Sequence, residues 1–246
     1  MIIETGCVKA MPTREMAWPK QPSDRQWIKP EGDDPRTLYQ MLMVSQKMFG
    51  EEDCFGFIQS PGMPRTHLSY NIFGELTTSI AKGLRDINVE TGDRVALIID
   101  NSVEWAALSY GANAIGAAYT AMYTHQHGKD WAFILKDSTP KVVAVQNTAV
   151  LDKLCDALDD DAWPESGVIL LGDEPANQLP PEGVTVRSWV DLVQAGRAAK
   201  DLAEIADDPS ALSTLIYTSG TTGNPKGVML SNWNTLSNVL CVQGVF

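Results

Sequence analysis

The sequence predicts an α/β fold, a mostly parallel sheet flanked by helices, on three observations. Short apolar runs alternate with amphipathic helical stretches along most of the chain, the pattern of consecutive βαβ units. Two of the runs, residues 94–99 (RVALII) and 141–146 (KVVAVQ), are near-continuously apolar, as in parallel strands covered on both faces. A glycine-rich stretch joins two further strand-like runs near residues 212–230.

Each element has a local reason. Residues 1–34 are polar, carry Pro12, Pro19, Pro22 and Pro30, and keep no helical or strand period; they read as an extended leader pinned by Trp18 and Trp27. Asp34 and Pro35 suit an N-cap and a first helical turn. Leu38, Met41, Leu42, Ser45 and Met48 or Phe49 follow at helical spacing, a methionine-rich stripe expected to be core, with Gly50 as the stop. Residues 54–59 read as a short strand. Residues 69–87 form a strong helix with Ile72, Leu76, Ile80, Leu84 and Ile87 on one face. Glu90-Thr91-Gly92-Asp93 is a turn, and 94–99 a strand.

Asn101, with Glu104 three residues on, looks like the cap of the next helix, which runs to about Gly116. Strands are predicted at 117–122, 141–146 and 168–171. Helices are predicted at 129–137, 150–158 and 189–199. Residues 175–183 are a loop and 201–209 an acidic connector. The strand at 212–217 leads into the glycine-rich loop, residues 227–230 form a second short strand, and a helical segment begins at Ser231.

Composition narrows the function classes. The 246 residues are 44% hydrophobic and 20% charged, a globular composition with ample material for a core. The length allows one large or two small domains. A net charge of −12, from 31 acids against 19 bases, argues against a nucleic-acid surface, which needs clustered Lys and Arg. It also means that a bound polyphosphate needs local positive potential against an unfavourable overall field. Cys7, Cys54, Cys155 and Cys241 show no metal-site spacing and read as scattered thiols of a reducing compartment. Without a basic-then-apolar leader or an apolar run near the ~20 residues of a membrane span, the chain is expected to be cytoplasmic.

The run from Tyr217 to Gly227 (YTSGTTGNPKG) carries the chemistry. From Thr218 onward it holds three glycines, four small hydroxyl residues and one lysine. Glycine lets the backbone approach an anion closely, and successive N–H groups can form an anion-binding nest. The hydroxyls add adjustable donors, and Lys226 supplies a compact charge. It is not a Walker A loop: counted from Gly220, the positions for glycine, lysine and Ser/Thr hold Pro225, Lys226 and Gly227. The setting is strand–loop–strand, so a helix dipole contributes less here than in a P-loop.

Residues 216–230 (IYTSGTTGNPKGVML) resemble the phosphate-loop signature of the adenylate-forming superfamily, which includes acyl-CoA synthetases, luciferases and peptide-synthetase adenylation domains. Residues 68–102 are similar to the first part of such synthetases. Residues 116–123 and 131–138 (WAFILKDS) lean toward long-chain fatty acyl-CoA synthetases. The resemblance implies that 35–246 is the incomplete N-terminal large domain of an adenylate-forming enzyme, ending soon after the phosphate loop.

It also implies a two-step reaction: a carboxylate attacks the α-phosphate of ATP, carried with Mg²⁺, and a thiol, usually CoA, then displaces AMP. By the motif match Thr218, Ser219, Gly220, Thr221, Thr222 and Gly223 wrap the β/γ-phosphates and Lys226 sits near the same end. Pro225 stiffens the turn. The partners implied are a fatty acid, ATP and CoA, with peripheral bilayer contact through the acyl substrate. The family's metal-binding glutamate and catalytic lysine have no matching segment in these residues. The chain alone is therefore expected not to complete adenylation, and the alternatives are a truncated binding product or a synthetase for another carboxylic acid. Where many relatives place a histidine after the second strand, this sequence has Asn232, which leaves acyl preference open.

The remaining candidates read as structural. His125 and His127 lie in a turn without a third metal ligand nearby, and His67 precedes a helix. Asp159-Asp160-Asp161 and Asp207-Asp208 are solvated acidic stretches. Tyr119 and Tyr123 either line an acyl tunnel, as the resemblance implies, or pack in the core.

Overall fold

A computed structural model of the chain describes residues 35–57, 65–172, 174–218 and 225–243, the side chains of 240–243 excepted. The expected leader at 1–34 lies outside the described residues. The first helix, α1 (Leu38–Phe49), is capped by Thr37, whose hydroxyl accepts from Gln40 N at 3.2 Å. The helix therefore starts later than the Asp34-Pro35 pair suggested, because an N-cap needs extended backbone and a side-chain oxygen in reach of N2 or N3, and Thr37 supplies both. The methionine-rich stripe is only partly core: its Leu42 is buried, Leu38, Met41, Ser45 and Phe49 are half-buried and Met48 is exposed. Tyr39 and Leu42 are buried while Met43 and Met48 are exposed, and the Tyr39 hydroxyl bonds to Thr78 Oγ1 at 2.9 Å.

Strand β1 (Asp53–Phe57) pairs antiparallel with β2 (Thr66–Ser69), a strand the sequence reading missed. Ser69 caps α2 (Tyr70–Asp86) by accepting from Ile72 N. The buried face of α2 is Phe73, Thr77, Ile80, Ala81 and Leu84; Ile72, expected on that face, is 52% exposed. The helix packs against two neighbours at once, which widens and rotates its buried arc. At the crossing with α6 (Trp189–Ala198), a Cβ on Gly196 would stand 1.8 Å from the Ser79 carbonyl oxygen, so the two backbones touch.

The main sheet follows. Strands β3 (Arg94–Ile98), β4 (Ala118–Met122), β5 (Val142–Val145), β6 (Val168–Leu170) and β7 (Val186–Ser188) alternate with α3 (Val103–Ala114), α4 (Gly128–Ser138) and α5 (Thr148–Cys155). Then come α6, β8 (Leu212–Thr218), β9 (Lys226–Ser231) and α7 (Asn232–Gln243). The seven strands lie in the order β7-β6-β5-β3-β4-β8-β9, all neighbours parallel except the β8–β9 hairpin. The alternating α/β pattern and the mostly parallel sheet are as expected. The three-residue β7 is too short to show a period, and it went unread.

Two apolar layers sandwich the sheet. Val95, Leu97, Val142, Ala144 and Ile169 face α1, α2, α3 and α6, whereas Ala96, Ile98, Val143, Val145 and Val168 face α4 and α5. This period-two division explains why the central strands read as continuous apolar runs. The turn before β3 closes as expected, with Gly92 at φ +89 and Glu90 N donating to Asp93 Oδ2 at 2.8 Å. The cap of α3 is Ser102, not Asn101: its hydroxyl accepts from Trp105 N at 3.1 Å. Both residue types cap well, and the one with the reaching oxygen in extended backbone wins. Likewise α5 begins earlier than predicted, under Asn147, which accepts from Val150 N. Cys54 and Cys155 are free thiols, and burial pushes both upward, Cys54 to about 11.

Candidate functional site

The parallel strands end together on one edge of the sheet. There α3 leaves β3 toward one face and α4 leaves β4 toward the other, so the connecting loops part between β3 and β4. In open α/β sheets this crevice is where ligands bind. Its walls are tied in place. Thr124 Oγ1 donates to Asp100 Oδ1 at 2.7 Å, and Asp100 N donates to Gln146 Oε1 at 2.7 Å, which links the ends of β3, β4 and β5. Tyr123 N donates to Gln126 Oε1 at 3.0 Å and its carbonyl accepts from the buried Trp131 Nε1 at 3.1 Å. Lys153 Nζ donates to the Gln126 carbonyl and lies 4.4 Å from the Trp131 ring centroid, a cation–π contact.

The two tyrosines left open by the sequence separate here. Tyr119 packs edge-on against Trp105, with ring centroids 5.9 Å apart, beside the helix-packed core. Tyr123 stands at the crevice with 76% of its surface exposed.

The glycine-rich loop opens from this edge, beside β4. Strand β8 is parallel to β4 and ends at Thr218; β9 returns from Lys226. Thr218 faces Lys226 across the hairpin, as Ile216 faces Val228, and directly opposed residues share a face. Thr218 and Lys226 are both exposed. Ser219, Gly220, Thr221, Thr222 and Gly223 lie outside the described residues. The structure therefore shows how the loop's two ends are held.

The opposite face of the hairpin carries Tyr217 over Gly227. A Cβ at Gly227 would come within 3.0 Å of Tyr217 Cζ, so the ring lies on bare backbone. The Tyr217 hydroxyl donates to Asp137 Oδ2 of α4 at 2.5 Å. Burial first, and then this bond to the carboxylate, push the Tyr217 hydroxyl well above its ordinary range, so it is a donor at any physiological pH. Both residues lie in segments that resemble the family, yet no local signal in the sequence joins positions 80 apart.

Asn232 is buried and binds α7 to the acidic connector, its amide donating to the Asp208 carbonyl at 3.0 Å and its backbone N to the Ala211 carbonyl at 2.9 Å. His125 and His127 are exposed, and His67 Nδ1 contacts Asp53 Oδ2 at 2.7 Å. Asp159, Asp160, Asp161, Asp207 and Asp208 are exposed. Among the described residues no cluster of three or more His, Cys, Asp or Glu could hold a metal ion, and no helix is long and apolar enough to cross a membrane.

The family described as AMP-binding enzyme matches residues 49–245. A long-chain-fatty-acid–CoA ligase of Bos taurus, ACSBG1, is 29% identical over 208 residues, which are 81% of this chain and 27% of that protein. A fatty acyl CoA synthetase of Mycobacterium tuberculosis superposes with a TM-score of 0.59 at 26% identity, over 82% of this chain and 36% of the other. A long-chain-fatty-acid–CoA ligase of Archaeoglobus fulgidus shares the fold with a TM-score of 0.69 at 21% identity, over 85% and 39%. The chain thus spans about a quarter of the length of the curated relatives it matches.

Proposed function

The chain belongs to the AMP-binding enzyme family, and from that premise we propose that it contributes the triphosphate-binding edge of a site that activates a long-chain fatty acid with ATP. The observation that carries this reading is the loop motif strung between paired Thr218 and Lys226 at the ligand-binding edge of the sheet. The activation is a nucleotidyl transfer. A carboxylate oxygen of the acid bonds to the α-phosphorus as the bond to the bridging oxygen breaks, giving an acyl-adenylate and pyrophosphate. A thiol, that of CoA, then attacks the acyl carbon and AMP leaves.

The physical difficulty of the first step is negative charge accumulating on the departing pyrophosphate, which preorganised donors offset. Thr218, Ser219, Gly220, Thr221, Thr222 and Gly223 supply hydroxyl and amide donors to the β/γ-phosphates, and Lys226 supplies the positive charge at the same end. Mg²⁺ enters with the substrate, as MgATP. The long-chain acid is favoured over other carboxylic acids by the names of the relatives, among them the ligase that is 29% identical.

Acid-dependent ATP–pyrophosphate exchange across short-chain, long-chain and aromatic acids, by a protein that carries this chain together with the metal-binding glutamate and catalytic lysine, tests this reading, with exchange expected to be strongest for long chains. Absence of exchange with every acid sinks the adenylation step, and preference for an aromatic acid sinks the substrate class.

A further inference from the structure

Resting on the phosphate-loop reading above, we infer that Asp137 is a positioning residue for that loop: by accepting the Tyr217 hydroxyl it fastens the hairpin base to α4 and fixes where Thr218 and Lys226 stand.

Three observations meet at this point. The Tyr217 hydroxyl reaches Asp137 Oδ2 at 2.5 Å across elements separated by 80 positions. Tyr217 is the residue just before Thr218, and its cross-strand partner Gly227 is the residue just after Lys226. The ring crosses that glycine with no side chain beneath it, and a Cβ there would stand 3.0 Å from Cζ. One aromatic side chain thus touches the strand residues on both sides of the loop and is bonded to a helix whose Trp131, Ile134 and Leu135 are buried.

The hairpin needs such an anchor. It is the antiparallel edge of an otherwise parallel sheet, its far side carries half-exposed Ile216 and Val228, and edge strands with few buried contacts open most readily. A hydroxyl donating to a carboxylate is among the stronger neutral-to-charged bonds. Asp137 acts on the loop through its bond to the Tyr217 hydroxyl.

The test uses a protein that carries these 246 residues together with the metal-binding glutamate and catalytic lysine, with MgATP as probe, and compares Tyr217→Phe, Asp137→Ala and Asp137→Asn. Amide hydrogen exchange of residues 216–218 and 226–228 reads the anchor without nucleotide, and MgATP titration reads its consequence. In Tyr217→Phe and Asp137→Ala, exchange is expected to rise about tenfold at these amides and MgATP affinity to fall about three- to tenfold. Asp137→Asn, which keeps an acceptor oxygen, should stay close to wild type. The double variant Tyr217→Phe/Asp137→Ala should be no worse than either single change.

Unchanged exchange in Asp137→Ala overturns the anchor whatever the nucleotide does. Faster exchange with unaltered MgATP affinity overturns the positioning role. A wild-type protein with the completed site that does not bind MgATP overturns the phosphate-loop reading itself, and the positioning role with it, a result told apart because the wild type fails before any variant is compared.

Discussion

Strands β3 and β5 are buried on both faces, with Val95, Ala96, Leu97, Ile98 and Val142 to Val145 fully shielded from solvent, whereas the β8–β9 hairpin leaves Ile216, Val228 and Met229 at 47%, 44% and 69% exposure. Both regions belong to one sheet. The first is held by apolar surface removed from water, worth about 25 cal/mol per Å². The second is held by backbone ladder bonds, by α7, and by side-chain bonds from Ser213 to Asn113, from Thr214 to the Tyr119 carbonyl and from Tyr217 to Asp137. The buried centre carries the load of stability, and the exposed edge is free to carry residues chosen for chemistry.

The contrast can be broken from either end. Leu97→Ala, at the middle of β3, is expected to cost about 2–5 kcal/mol of folding stability, the range for emptying a well-packed aliphatic site, read by urea denaturation. Gly196→Ala should cost about 1–3 kcal/mol by driving α2 and α6 apart, since the new methyl has the rigid Ser79 carbonyl in its way; a thermal melt matching wild type would show that the crossing yields.

Lys226→Ala should leave the denaturation midpoint in place and, in a protein that carries this chain with the rest of the ATP site, weaken ATP use by about 1–3 kcal/mol, the scale of a lost charged hydrogen bond. Undiminished ATP dependence in that variant would remove the role given to Lys226. Met229→Ser, at an exposed position on the same hairpin face as Tyr217, should move stability by no more than about 0.5 kcal/mol, and a larger loss would mean that the hairpin is better covered than its exposure indicates.

Much of the fold was legible in the residues, for a local reason. The runs RVALII and KVVAVQ became β3 and β5 because continuous apolarity over five or six residues leaves few alternatives to a doubly covered strand. The Glu90–Asp93 turn closed where Gly92 could take positive φ. The strand–loop–strand setting of the glycine-rich run was also correct, and β8 and β9 flank it in antiparallel register. The misses share another cause. Asn101 and Ser102 are both competent caps, and only the backbone path selects Ser102. The apolar spacing on α2 permitted Ile72 on the inner face, but contact with both α3 and α6 turned Phe73 and Thr77 inward. Strand β7 had three residues and no period to read.

The sequence by itself determined which segments are strands and helices and which short run has the donors, glycines and charge for a polyphosphate, because those properties reside in residues a few positions apart. Tertiary structure alone decided the strand order that sets the hairpin beside β4, the parting of loops between β3 and β4, and the meeting of Tyr217 with Asp137. Periodicity says that a strand has two faces. Which neighbours cover them depends on how the crossovers stack in space, and that is settled only when all the apolar surfaces compete for burial at once.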